Sequence, residues 1–207
     1  MLIFNALDRV LDHKTKIGIL RILCKESSGL TGRQLAKLLG VSPTTVNKFL
    51  NSLKEDGIIK ATAAGRAYLY MLNTDSYITK ALVKPFFEKE RSILPAVTAI
   101  IKKAISRSKA ATETVAIFGS VARRREGPKS DIDLVVVLDN VADKEKVENS
   151  LDLIADTVAR DFQTAIVPYI LSADQFRRRY KDNVSIIKDI LSAYILVQGR
   201  PLERLVI

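Results

Sequence analysis

Two aspartates one residue apart, Asp131 and Asp133, open the very apolar run DIDLVVVL. In a strand the side chains alternate, so both carboxylates project from one face, with their Cα atoms about 6–7 Å apart. Ile132 and Leu134 then point the other way, into a core. Two carboxylates on one face at a strand's end suit a hard divalent cation. Mg²⁺ takes oxygen ligands and commonly binds through one or two carboxylates, with substrate phosphates supplying others. Ten residues upstream of this pair lies a second group with chemistry in it: Gly119-Ser120, directly after the short β-branched run TVAIF at Thr114–Phe118. A glycine there lets a phosphate approach the backbone closely. Ser120 adds a hydroxyl, and the first amides of a helix starting at VARRRE point outward at its positive end. Arg123, one turn in, is suited to neutralising phosphate charge. Arg124 and Arg125 have two readings, phosphate contact or a solvated helix face.

The order strand, Gly-Ser, helix start, ten-residue gap, Asp-x-Asp, strand resembles the nucleotidyltransferase fold of the DNA polymerase β superfamily. The stretch FGSVAR…SDIDLVVV resembles its minimal nucleotidyltransferase branch. The resemblance runs from about Thr114 to the C-terminus. It covers a helix at Lys144–Arg160, a strand at Gln163–Leu171, helices at Ala173–Lys181 and Ser185–Tyr194, and a last strand in ILVQGRPL. It implies an α/β domain over residues 111–207, with a small mixed sheet flanked by helices. In it Gly119, Ser120 and Arg123 would hold the triphosphate of a nucleotide, ATP being the expected one. Asp131 and Asp133 would bind Mg²⁺ and serve catalysis. The activity implied is transfer of a nucleoside monophosphate to a hydroxyl of a protein or small molecule. Active members usually bring a third carboxylate from the next strand, completing a two-metal site. Here that strand reads FQTAIVPYIL and carries no acid from Phe162 to Ser172, while Asp161 stands at or before its start. Arg124 also occupies a position where glycine is common. The run Arg177–Arg179 beside Tyr180 has two readings, a solvated face or a contact to a nucleic-acid backbone.

The first 75 residues are organised differently. Ile17, Leu20, Leu23 and Cys24 recur at helical spacing. A second helix opens at TGRQ, where Thr31 and Gln34 form a capping box, carries Leu35, Leu38 and Leu39 as its apolar stripe, and ends at Gly40. Ser42 caps a third helix with Pro43 at its first position, and Val46, Phe49, Leu50 and Leu53 form one buried stripe. Two strands follow in IIKATAAGRAYLYMLN about a turn near Ala64-Gly65. Helix, helix, short turn, helix, hairpin is the winged helix-turn-helix order, and LTGRQLAKLLGVSPTTVNKFLNSLKEDGIIK with the wing AGRAYLYML resembles the DNA-binding domains of small prokaryotic regulators. The buried stripe leaves Thr44, Thr45, Asn47, Lys48 and Asn51 exposed, types that bond base edges or phosphates in a major groove. With Ser42 and, at the wing tip, Arg66, these are the expected contacts to double-stranded DNA; contact to a protein is the other use of such a domain. Lys48 is the sole cation in the first two turns of the third helix, which favours a homodimer that doubles the phosphate contacts.

The expected organisation is thus α+β in three parts: a winged helix-turn-helix domain over 1–75, a helical connector over 76–110 and a nucleotidyltransferase-like domain over 111–207. In the connector Ile93, Val97, Ile100, Ile101, Ala104 and Ile105 form a broad apolar face expected to pack on the following domain. The bulk figures agree with a DNA partner. The chain has 207 residues and a formal charge of +10; residues 1–80 hold 12 Lys/Arg against 6 Asp/Glu, and residues 81–207 hold 21 against 17. Such an excess favours polyanionic partners. With one cysteine, Cys24, an intramolecular disulfide is excluded, and with one histidine, His13, so is a zinc site of His/Cys type. No apolar run approaches the ~18–20 residues that span a bilayer, and MLIFNALDRVLD lacks the features of a signal peptide, so a cytoplasmic location is expected. Two classes of function compete with an enzyme: a transcriptional regulator whose second domain senses nucleotide, and an antitoxin-like module that binds a helical protein partner.

Overall fold

The computed structural model describes residues 4–206, and the chain divides into two compact units between Ile93 and Leu94. In the first unit α1 (Lys14–Leu23) is capped by His13, whose Nδ1 accepts the Thr15 N–H at 3.1 Å. The two-residue strand β1 (Leu30–Thr31) leads into α2 (Gly32–Leu39), where Thr31 and Gln34 form the capping box and Gly40 closes the helix at φ +65°. The helix α3 (Pro43–Glu55) starts at the Ser42 cap, and β2 (Ile59–Ala64) and β3 (Ala67–Leu72) form a hairpin closed by Gly65-Arg66. The sheet has three strands in the order β1-β3-β2; the strand β1 was not legible in SSGLT, because two residues are too few for a period to show. Val46, Leu50 and Leu53 are fully buried with Ile19, Leu20, Leu35, Ile58 and Phe87, and Phe49 packs at the margin, stacked on the His13 ring at 4.3 Å. Leu38 is the exception to the expected stripe, 63% exposed. Leu35, Ala36 and Leu39 cover the inner face of α2, and Leu38 falls about a quarter-turn off that arc. Leu39 presses on α1 where Gly18 leaves room; a Cβ there would sit 2.6 Å from Leu39 Cδ2.

After a π-helical turn (Thr79–Val83) and α4 (Lys84–Arg91), the first unit ends within the stretch read as a connector. The helix α5 (Ile93–Ser108) buries Val97, Ile101, Ala104 and Ile105 in the second unit's core, while Ile93 is exposed. That unit is a four-stranded mixed sheet in the order β6-β5-β4-β7, built from β4 (Thr112–Phe118), β5 (Ile132–Leu138), β6 (Ile166–Ser172) and β7 (Ile195–Gly199). Strand β4 pairs antiparallel with β5 and β7, whereas β5 and β6 are parallel, joined by the crossover helix α7 (Lys144–Phe162). Both sheet faces are covered, which is why β5 reads as a continuous apolar run. Helices α5 and α7 pack on the face of Ile132, Leu134 and Val136. The helices α8 (Ala173–Lys181) and α9 (Ser185–Ser192) pack on the face of Phe118, Val135 and Val137, through Phe176, Ile187 and Ile190.

Candidate functional site

The second unit's candidate site lies at one end of β4 and β5. Phe118 and Asp133 are register partners, so the chain leaves β4 at the level where Asp133 stands on β5. There Gly119 turns it at φ +71° into α6 (Gly119–Ala122), a single turn. The Asp133 carboxylate fills the space a side chain at 119 would need: a Cβ there would lie 2.0 Å from Asp133 Oδ2. Glycine is required twice, by the positive φ and by this close approach. The turn with its serine and the Asp-x-Asp pair are therefore one place. Asp133 belongs to the face packed by α8 and α9, and Ile132 and Leu134 lie in the opposite core, as the period of two requires.

Asp131 is held by its neighbours in the chain. Thr164 Oγ1 donates to the Ser130 carbonyl at 3.0 Å, and the Ile132 N–H donates to the Ala165 carbonyl at 2.8 Å. The loop before it is closed by the Gly127 N–H donating to Ser130 Oγ at 2.8 Å. Asp131 is exposed and Asp133 half-buried. Burial first, then the neighbouring charges of Asp131 and Asp189, hold the Asp133 carboxyl above its usual range. A carboxylate partly out of water beside like charges is costly to ionise, a demand at Asp133 that a bound cation or a proton satisfies.

The third acid of this neighbourhood comes from α9 and was missed in the sequence. Arg123 Nη2 donates to Asp189 Oδ1 at 2.6 Å, to the Asp189 carbonyl at 3.1 Å and to Ser192 Oγ at 2.9 Å. The arginine expected to face phosphates thus clasps α9, and its side chain is 27% exposed. Asp189 lies in a helix about 60 residues on, and no local spacing links it to the aspartate pair. On the neighbouring strand the register partner of Asp133 is Val167, 47% exposed, so an apolar side chain stands beside the carboxylate. Asp161 is ion-paired to Arg160 in the last turn of α7. Among the described residues no group of three His, Cys, Asp or Glu side chains is placed to hold a metal ion. Arg124 adopts φ +55°, the left-handed conformation that favours glycine. In the second arginine run, Arg177 bonds Asp174 and the Leu205 carbonyl, and Arg179 lies over the Tyr169 ring at 5.5 Å.

The first unit offers a groove of about 810 Å³ between α3 and the wing. Asn47 and Asn51 line it from α3, Arg66 and Tyr68 from the hairpin, and Arg33 from α2. The structure thus brings Asn47, Asn51 and Arg66 to one surface. Ser42 and Thr45 are joined in the helix cap, where Ser42 Oγ accepts the Thr45 N–H at 3.1 Å. Thr44 is exposed, and the Lys48 ammonium lies 5.9 Å from the Phe49 ring centre. No helix among the described residues is long and apolar enough to cross a membrane.

Comparison with known proteins assigns both units. Residues 12–60 match the family model described as winged helix-turn-helix DNA-binding, and residues 100–189 match the one described as polymerase beta, nucleotidyltransferase. No curated protein matches the chain. Among solved structures, reduced HlyU from Vibrio cholerae N16961 is 20% identical over 40% of this chain and 79% of its own, with a TM-score of 0.34. The cadmium metal-sensor CMTR from Mycobacterium tuberculosis is 34% identical over 37% and 77%, with a TM-score of 0.31. The adhesin competence repressor AdcR from Streptococcus pyogenes is 22% identical over 44% and 65%, with a TM-score of 0.36. From the two family models, the chain joins a winged helix-turn-helix domain to a nucleotidyltransferase domain of the polymerase beta family.

Proposed function

We propose that the protein binds double-stranded DNA through α3 and its wing, and binds a nucleoside triphosphate with a divalent cation at the Gly119–Asp133 site. The observation that carries the second half is the seating of the Asp133 carboxylate against the side-chain-free face of Gly119, which unites the phosphate-turn residues with the acidic pair. The donor set suits Mg²⁺: two carboxylates one residue apart at the head of β5, Asp131 exposed and Asp133 in no ion pair among the described residues. Asp131 and Asp133 would hold the cation, which when bound supplies charge neutralisation to the phosphates. Ser120 and the backbone of the Gly119 turn receive the triphosphate, and Arg123, at the end of α6, steadies the site by tying it to Asp189 and Ser192 of α9.

The reaction this arrangement supports is nucleoside monophosphate transfer. An acceptor hydroxyl oxygen forms a bond to the α-phosphorus as the bond from that phosphorus to the β-bridging oxygen breaks. Pyrophosphate leaves, and the hydroxyl proton passes to water. Titrating ATP with and without Mg²⁺ into the wild type and the Asp131→Asn, Asp133→Asn variant tests the site. Magnesium-dependent binding lost in the variant is the expected result; binding that survives in it removes the proposal. A second reading is favoured by Val167 beside Asp133 and by the lack of a three-acid group among the described residues. In it the domain senses nucleotide without transfer, as a regulator or as an antitoxin-like partner of another protein. Labelled nucleotide transfer that depends on Asp131 decides for the enzyme. DNA affinity that moves with Mg-ATP, without transfer, decides for the sensor.

A further inference from the structure

The tyrosine-lysine end of the second arginine run belongs to no site described so far. Tyr180, Lys181 and Asn183 at the end of α8 face Lys188, Leu191 and Ser192 of α9 across a cavity of about 630 Å³. Its lining includes two ammonium groups, an aromatic ring and an amide, and no carboxylate. Neither lysine takes part in an ion pair of this unit among the described residues. The nearby acid Asp189 is engaged by Arg123 instead. Tyr180 is 42% exposed, its ring free to take a flat partner.

The turn between the helices is closed by the Asn183 N–H donating to the Tyr180 carbonyl at 3.0 Å and the Val184 N–H donating to the Arg179 carbonyl at 3.0 Å, with Asn183 at φ +57°. Lys181, in the last turn of α8, has a structural use there, offsetting the helix dipole. Lys188, in the interior of α9, has none. Lys188, Leu191 and Ser192 stand at i, i+3 and i+4, so one helix face presents all three to the cavity. Ser192 is also an acceptor for Arg123, 2.9 Å away, so the cavity's rim is shared with the cluster whose Asp189 acts on Asp133.

We propose that this cavity seats a second nucleotide, separate from the triphosphate at Gly119–Ser120. Its phosphate lies between Lys181 and Lys188 and its base on the Tyr180 ring, the ligand being a free nucleoside monophosphate or the end of a nucleic-acid strand. Ammonium pairs recognise phosphate and exposed aromatic rings stack bases without sequence preference. The proposal rests on the reading of this domain as nucleotide-handling.

The test is calorimetric titration of AMP, and separately of a short single-stranded oligoadenylate, into the full chain in the presence of EDTA. Both probes avoid the Mg-triphosphate site, so the outcome is independent of it. The expected result is binding without metal that is retained in Asp131→Asn, Asp133→Asn. It weakens roughly tenfold or more in Lys181→Ala, Lys188→Ala and severalfold in Tyr180→Ala. The Lys181→Arg, Lys188→Arg variant, with charge kept, restores most of it, which separates recognition from a folding defect. Similar affinity for AMP and oligoadenylate identifies a free nucleotide; affinity at least tenfold greater for the oligonucleotide, lost with the lysines, identifies a strand end. Failure of both probes to bind, or binding indifferent to the lysine substitutions, overturns the proposal.

Discussion

At Gly119 a single methyl group is enough to test the site. Alanine there places a carbon 2.0 Å from Asp133 Oδ2 and must hold φ +71°, a conformation that costs a non-glycine residue about 1–3 kcal/mol. Gly119→Ala is therefore expected to lower the thermal midpoint by several degrees and to abolish Mg-ATP binding; full binding in a folded variant would break the link between turn and carboxylate. Arg124→Gly runs the other way. Its φ of +55° is one that glycine adopts freely, so the variant gains up to about 1 kcal/mol, read as a higher midpoint in urea. No gain would mean that the Arg124 side chain holds a contact worth as much. Sequence order alone pointed to Gly119 and the aspartates as one candidate site, because the turn and the period of two act locally. Asp189 was illegible, since only the packing of α9 on the Asp133 face brings it near.

Between elements, the first unit joins α1 to α4 by a two-pronged ion pair: Arg21 Nε and Nη2 donate to Glu90 Oε2 and Oε1 at 2.6 and 2.7 Å. Hydrogen bonding to Arg21 holds the Glu90 carboxyl below its usual range. A depressed carboxylate contributes stability above its unfolded value and loses it as pH falls through the folded one. The contribution is thus full at pH 7 and disappears on acidification below the ordinary glutamate range. Both side chains are partly exposed, so a double-mutant cycle on Arg21 and Glu90 should give about 0.5–1 kcal/mol at pH 7 and little at pH 3; a pH-independent coupling would contradict the assignment. The capping boxes at Thr31 and Ser172 were readable and unreadable respectively for a plain reason. TGRQ precedes an apolar stripe, whereas SADQ opens a helix of mostly charged residues, RRRYK.

For the whole molecule, the two units have separate cores, which predicts separable functions. Leu50→Ala leaves a cavity in the first core at a cost of about 2–5 kcal/mol. It is expected to end DNA binding while Mg-ATP binding persists at temperatures where only the first unit is lost; joint loss would refute separability. On α3, the exposed Lys48 stands outside the groove and Asn51 lines it; Lys48→Ala should weaken DNA binding nearly uniformly across sequences and lower the salt slope by about 1, whereas Asn51→Ala should weaken preference for particular bases. Equal affinity of both variants and wild type over a salt titration would move the interface elsewhere.

Both kinds of architecture were legible in the sequence, since their signals are local: helix caps, the 3.6-residue stripe of α3, the alternation of DIDLVVVL and the glycine turn before it. Each follows from the backbone and its near neighbours. What only the tertiary structure decided is which distant residues share a surface. The stretch 76–110, punctuated by Pro85 and Pro95, read as one helical connector, yet Phe87 lies in one core and Ile101 in the other. Arg123 read as a phosphate ligand because position suggested it, yet the packing of α9 provides Asp189 and Ser192 as its partners. Such contacts depend on which helix covers which face of the sheet, and residues 60 positions apart leave no trace of that in their spacing.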